Sequence, residues 1–269
     1  MRGIRKIYYI NLDRSPKRNE SIRLMTAAHF KKIPTERVEA VDGSTVNFEQ
    51  YRKLFTQYCW SYRGKMPGAF ACYLSHIKIF KKIASDETID PNDVLMVLED
   101  DAKFDPTKIN LLNQAVEALS GNATHFKNCH WLALGLRRKR MHHKLKSNHL
   151  FSIPVAKDPF NVGTHAYLIR KSSVPTLLKI HLPFKYHHID IRNRHNYKPL
   201  GFLCTTFNVF TVIGDGSIRR KIDADGLSNT RKQSRKTRKT RKTQNAKRKT
   251  CAKRAKLASS RKKEERKLN

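Results

Sequence analysis

Five apolar residues in a row, Val94-Leu95-Met96-Val97-Leu98, run without a spacer into three acids, Glu99-Asp100-Asp101. A half-buried strand alternates apolar and polar residues, whereas an unbroken apolar run of this length belongs to a strand covered on both faces. Such a strand needs helices above and below its sheet. In an open α/β sheet, ligands gather at the carboxyl ends of the strands, where these acids would project. If the backbone stays extended, Glu99 and Asp101 face one way and Asp100 the other. Two carboxylates on one side suit a hard divalent cation, Mn²⁺ or Mg²⁺, which would act as a Lewis acid on a diphosphate leaving group. The plain alternative is an acidic loop after a strand.

The rest of the first 226 residues supports an α/β reading. Ile7 to Asn11 is a β-branched and aromatic run, and Ser15-Pro16 after it reads as a helix cap with proline at the first helical position. Arg37 to Val41 suggests a second strand closed by a turn at Asp42-Gly43, and Phe70 to Ile83 a helix. Trp131 to Gly135 and Ala166 to Ile169 are further apolar runs, with a helix expected from Ser173 to Ile180. Strands alternating with helices predict a mainly parallel sheet.

Four segments carry candidate chemistry. The turn Asn11-Leu12-Asp13-Arg14-Ser15-Pro16-Lys17-Arg18 leads from strand to helix, where amides and arginines can meet phosphate; solvated charges on a capped helix are the simpler account. Arg14 and Arg18 share a face if the helix starts early. Asp42 could accept hydrogen bonds from a ribose or base, although Asp-Gly is also an ordinary turn. Ser75-His76 lies within a helix, where a satisfied core histidine is the commoner case. His187-His188-Ile189-Asp190 offers Asp190 as a general base or a further metal ligand. No Walker A, G-x-G-x-x-G or G-x-S-x-G pattern occurs.

The formal net charge is +34, and half of it lies in residues 231–269, which hold 19 Lys and Arg against two Glu. Arg-Lys-Thr repeats three times from Arg235 to Thr243. With almost no large apolar residue, residues 227–269 are expected to be a disordered basic tail appended to a domain of residues 1–226. A tail of this kind suits nucleic acid or another polyanion, but it lacks aromatics for base stacking. Five scattered cysteines and no CxxC pair favour a reducing compartment. No signal peptide or membrane-spanning run is recognised, so a cytoplasmic protein is expected, with nuclear, nucleolar or virion-associated placement as alternatives.

The order of these segments carries a resemblance. Ile10-Asn11-Leu12-Asp13-Arg14-Ser15 with Arg18, Ala40-Val41-Asp42-Gly43, Pro67-Gly68 before Cys72-Tyr73-Leu74-Ser75-His76, and Leu98-Glu99-Asp100-Asp101 together resemble glycosyltransferase family 25. Gly163 to Ile169 and Asp190 look like the family's second half. The chain departs from the pattern at Ala69 and Ala71, where the family usually has Glu and Gly.

The resemblance implies a GT-A-like, Rossmann-type nucleotide-sugar fold and a UDP-sugar donor. It also implies Mn²⁺ (or Mg²⁺) and transfer of a hexose, galactose or glucose, with inversion. Acceptors of the class are a glycan, a lipid-linked glycan or a protein hydroxyl. Donor contacts would fall to Asn11, Arg14, Arg18, Asp42, Ser75, His76 and Asp100, metal ligation to Glu99 and Asp101, and the base to Asp190. The competing expectation is a nucleic-acid-binding protein built on an inactive transferase-like domain.

Overall fold

The structure is a computed structural model that describes residues 3–121, 124–135, 142–145, 148–154 and 163–212. The expected tail, the repeats within it and the boundary at residue 226 lie outside these residues. The chain opens with β1 (Ile4–Asn11), α1 (Pro16–His29) and β2 (Thr35–Glu39). After a 3₁₀ segment come α2 (Gln57–Tyr62), α3 (Pro67–Ser85), β3 (Val94–Glu99) and β4 (Ala102–Phe104). Then follow α4 (Ile109–Ser120), α5 (Thr124–Lys127), β5 (Leu132–Ala133), β6 (His142–Leu145) and β7 (Asn148–Pro154). The described part closes with β8 (Ala166–Arg170), α6 (Val174–His181), α7 (Ile189–His195), β9 (Leu203–Thr205) and β10 (Phe210–Val212).

Eight strands form one sheet in the order β2-β1-β3-β8-β5-β9-β7-β6, and β4 pairs with β10 in a separate ribbon. The α/β expectation holds, but the mainly parallel sheet does not. β1 runs parallel to β2 and β3, and β5 to β9. The pairs β3–β8, β5–β8, β7–β9 and β6–β7 are antiparallel. An apolar run records burial on both faces, which is the same whichever way the strand points. Direction is set by the connection, and the repeating strand–helix unit ends at β3. Trp131 to Gly135 contributes only the two residues of β5 to the ladder.

Burial on two faces appears as alternation along the central strands. Ile7, Tyr9, Met96 and Leu98 pack with Ile22 of α1 and with Leu112 and Val116 of α4. Tyr8, Ile10, Leu95 and Val97 pack on the other side with Tyr73, Ile77 and Phe80 of α3 and Leu177 of α6. Pro16 starts α1 as expected, but the Ser15 side chain makes no cap hydrogen bond. Trp131 is fully buried, stacked on Tyr167 at 3.7 Å between ring centroids and near-parallel to Phe202 at 6.4 Å. Among the described residues, no helix is long and apolar enough to cross a membrane.

His181, at the end of α6, is fully buried with Nδ1 2.8 Å from the Tyr73 hydroxyl. Burial, reinforced by the nearby charges of Arg192 and His76, pushes the imidazole down from 6.5 to about 3. The folded protein therefore holds it neutral while the unfolded chain takes up a proton below its ordinary value of 6.5. The stability it contributes is complete above that pH and is lost as pH falls toward 3. Unfolding free energy from urea titrations is expected to drop by roughly 1 kcal/mol per pH unit between about pH 6 and 5 from this group. His181→Gln should flatten that slope; an unchanged slope refutes the assignment.

Candidate active site

The acids are positioned by strand register. Ile10 of β1 stands opposite Glu99 of β3, so Asn11 and Asp100 are neighbours one step further on. Asn11, 1% exposed, donates through Nδ2 to Asp100 Oδ2 at 2.8 Å and to the Ser15 carbonyl at 3.2 Å. Its Oδ1 accepts from Arg37 Nε at 3.0 Å. Arg18, in the first turn of α1, donates to Asp100 Oδ1 at 2.8 Å and approaches Asp101 Oδ2 at 3.9 Å. Burial pushes the Asp100 carboxyl above its ordinary value against the pull of Asn11 and Arg18, and the neighbouring Glu99 charge adds to the rise.

The strand ends at Glu99, with Asp100 and Asp101 in the turn before β4. The extended-backbone condition for facing Glu99 with Asp101 is therefore not met. Asp100 and Asp101 share Arg18, whereas Glu99 meets His76 and Thr164.

Helix α1 begins at Pro16, so Arg14 precedes it and does not share a helical face with Arg18. Arg14 instead pairs with Asp42, whose Oδ1 also accepts from the Ser44 amide at 2.8 Å and hydroxyl at 2.7 Å. Burial would raise the Asp42 carboxyl, but hydrogen bonds from Arg14 and Ser44 outweigh it and hold the group below its ordinary value. Gly43 follows because the loop crosses the start of α3: a Cβ there would lie 2.7 Å from the Pro67 carbonyl oxygen. Ser75 fastens the same loop, its hydroxyl accepting from the Val41 amide at 2.9 Å and donating to the Ala71 carbonyl at 2.7 Å.

These pieces surround an open cleft. Asn11, Arg18, Ser75, His76, Glu99, Asp100, Asp101 and Asp190 all line it; Arg14 and Asp42 do not, although Gly43 does. Asp190 stands in the first turn of α7, with Oδ1 accepting from the Ile191 amide at 2.8 Å. His187, its neighbour in sequence, turns instead into a ring cluster with Tyr58, Tyr62 and Phe70. Ala69 and Ala71 are buried, and Ala71 lines the cleft where a longer side chain would occupy it.

His76 is fully buried yet reaches the cleft, with Nδ1 2.9 Å from the Tyr167 hydroxyl and Nε2 3.3 Å from Glu99 Oε1. Thr164 donates to the same Glu99 oxygen. Carboxylate oxygens are the right donors for Mn²⁺ or Mg²⁺. Among the described residues, the group of three ligand-type side chains whose donor atoms lie within 4.8 Å of one another is Cys72, His76 and Glu99, without Asp101.

Reading the sequence missed the contacts by which Arg37, Thr164 and Tyr167 hold Asn11, Glu99 and His76 respectively, although Thr164 and Tyr167 fall in the motif stretch Gly163 to Ile169. No local pattern marks them, since each partner lies 26 or more positions away. Cys72 was legible as a motif residue only.

The described geometry coincides with a sequence match. Residues 4–191 match the model for glycosyltransferase family 25 (LPS biosynthesis protein). A glycosyltransferase 25 family member from Drosophila pseudoobscura pseudoobscura is 27% identical over 132 residues, 45% of this chain and 20% of that protein. Human procollagen galactosyltransferase 2 is 29% identical over 109 residues, 38% of this chain and 16% of that protein. The chain thus spans about a fifth of these relatives. A solved glycosyltransferase involved in glycosylation of the major capsid of PBCV-1 aligns over 82% of this chain and 97% of its own, at 9% identity and a TM-score of 0.40. The family match runs from the first strand, which carries Asn11, to the helix that carries Asp190, and so takes in every residue found around the cleft: the chain belongs to glycosyltransferase family 25.

Proposed function

We propose that this chain transfers a hexose, galactose or glucose, from a UDP-sugar to an acceptor hydroxyl with inversion, on a GT-A-like nucleotide-sugar fold. The observation that carries the reading is that Asn11, Arg18, the three acids and Asp190 line one cleft at the ends of β1 and β3. Arg18 offers a guanidinium to the donor diphosphate at the helix start, where main-chain amides favour anions.

In an inverting transfer, Asp190 takes the proton of the acceptor hydroxyl as its oxygen bonds to the anomeric carbon. The bond from that carbon to UDP breaks, and UDP leaves with the electron pair. A divalent cation, Mn²⁺ or Mg²⁺ by the family resemblance, would when bound neutralise charge on the leaving diphosphate. The acceptor is a glycan, lipid-linked glycan or protein hydroxyl, and the basic tail supplies a polyanion contact.

A panel of UDP-hexoses tests the donor assignment by thermal unfolding. The cognate donor at about 100 times its Kd should raise Tm by roughly 5–10 °C. UDP release on adding acceptor hydroxyls then reads transfer. A folded wild-type protein that neither gains stability from nor turns over any UDP-sugar would falsify the proposal.

A further inference from the structure

Cys72 and His76 are four residues apart on α3 and therefore stand on one face of the helix. The Cys72 sulfur, a His76 ring nitrogen and a Glu99 carboxylate oxygen all lie within 4.8 Å of one another. His76 Nε2 and Glu99 Oε1 are 3.3 Å apart, roughly the separation of two ligands each about 2.1 Å from a tetrahedral ion. The far nitrogen of His76 is held by Tyr167 at 2.9 Å, which aims Nε2 at Glu99. Thr164 supports Glu99 in the same way. Ligand histidines and carboxylates are oriented by such outer partners.

We propose that Cys72, His76 and Glu99 form a three-ligand site for a borderline divalent cation of the Zn²⁺ or Co²⁺ type, its fourth position open to the cleft. All three residues line the cleft, and Cys72 and Glu99 are partly exposed. Three protein ligands with an open position is the arrangement of a reactive metal site, whereas a structural site closes on four. The donor set is one sulfur, one nitrogen and one oxygen. Thiolate and imidazole select Zn²⁺ or Co²⁺, while Mg²⁺ takes oxygen ligands.

Binding releases a proton: the Cys72 thiol gives it to solvent as the sulfur–metal bond forms. The site rests on the ligand geometry and not on the transferase reading.

The full chain, stripped with a chelator, is titrated with Co²⁺ and followed by absorption. Stoichiometric Co²⁺ should produce a sulfur-to-cobalt charge-transfer band in the near ultraviolet that Zn²⁺ bleaches. Cys72→Ser should abolish the band. Glu99→Gln, which keeps the size of the side chain, should weaken Zn²⁺ binding by more than roughly 100-fold, and Tyr167→Phe by about 10-fold. Circular dichroism checks that each variant folds.

Absence of the band in wild-type protein, or its persistence in Cys72→Ser, overturns the site. UDP-sugar turnover is measured on the same wild-type preparation. Turnover without the band sinks the metal site and leaves the transferase reading standing; the band without turnover does the reverse.

Discussion

Replacing Asp190, the proposed base, with Asn should lower kcat for the proposed hexose transfer by about 10²- to 10⁴-fold, the range that a positioned general base contributes. Asn keeps the size of the side chain and can still accept from the Ile191 amide, 2.8 Å from Oδ1 in the native protein. What it loses is the capacity to take a proton. In the proposed mechanism Asp190 acts on the acceptor, so the KM for the proposed UDP-sugar donor should change little, which separates lost chemistry from lost donor binding. Steady-state rates of UDP release at saturating acceptor provide the measurement. A fall of less than about tenfold would remove Asp190 from the role of base. Its place in the first turn of α7 brings it into the cleft across 89 residues of chain from Asp101.

Trp131→Ala should destabilise the fold by about 4 kcal/mol, lowering Tm by roughly 8–16 °C for a domain of this size. The indole fills a fully buried space between Tyr167 and Phe202, and the shortened side chain would leave a cavity there. Its ring nitrogen is buried and has no hydrogen-bond partner among the described residues. Trp131→Phe therefore sacrifices only area and volume, and should cost less than about 2 kcal/mol. Calorimetry on the two variants is the check, and an alanine variant within about 1 kcal/mol of wild type would contradict the packing argument. The effect reaches the site as well. Tyr167 stacks on Trp131 and holds Nδ1 of His76, so the alanine variant frees the ring that His76 leans on.

Local residue order determined much of the scaffold. The run Val94 to Leu98 established a strand buried on both faces, because five apolar residues in succession leave no solvent-facing position. Pro16 marked the start of α1 through its fixed backbone angle and missing amide hydrogen. Strand–helix alternation up to β3 put Asn11 and the three acids each at the carboxyl end of a strand; the pairing of β1 with β3 makes those ends neighbours, and they share one cleft. The family motifs were also legible, since motifs are contiguous.

Tertiary structure decided the rest. Whether β8 runs with or against β3 is not encoded in its apolar run; in the fold the two are antiparallel. The parity of the acids broke because the strand stops at Glu99, and a strand ends where pairing with its neighbours ends. That stop sends Asp100 and Asp101 toward Arg18 and leaves Glu99 with His76 and Cys72. The acidic cluster at the end of the buried strand was thus determined by sequence. Which of its three carboxylates meets an arginine and which meets a sulfur and an imidazole was decided by register and long-range packing. Periodicity records which face of an element is buried, not which distant side chain will stand opposite it.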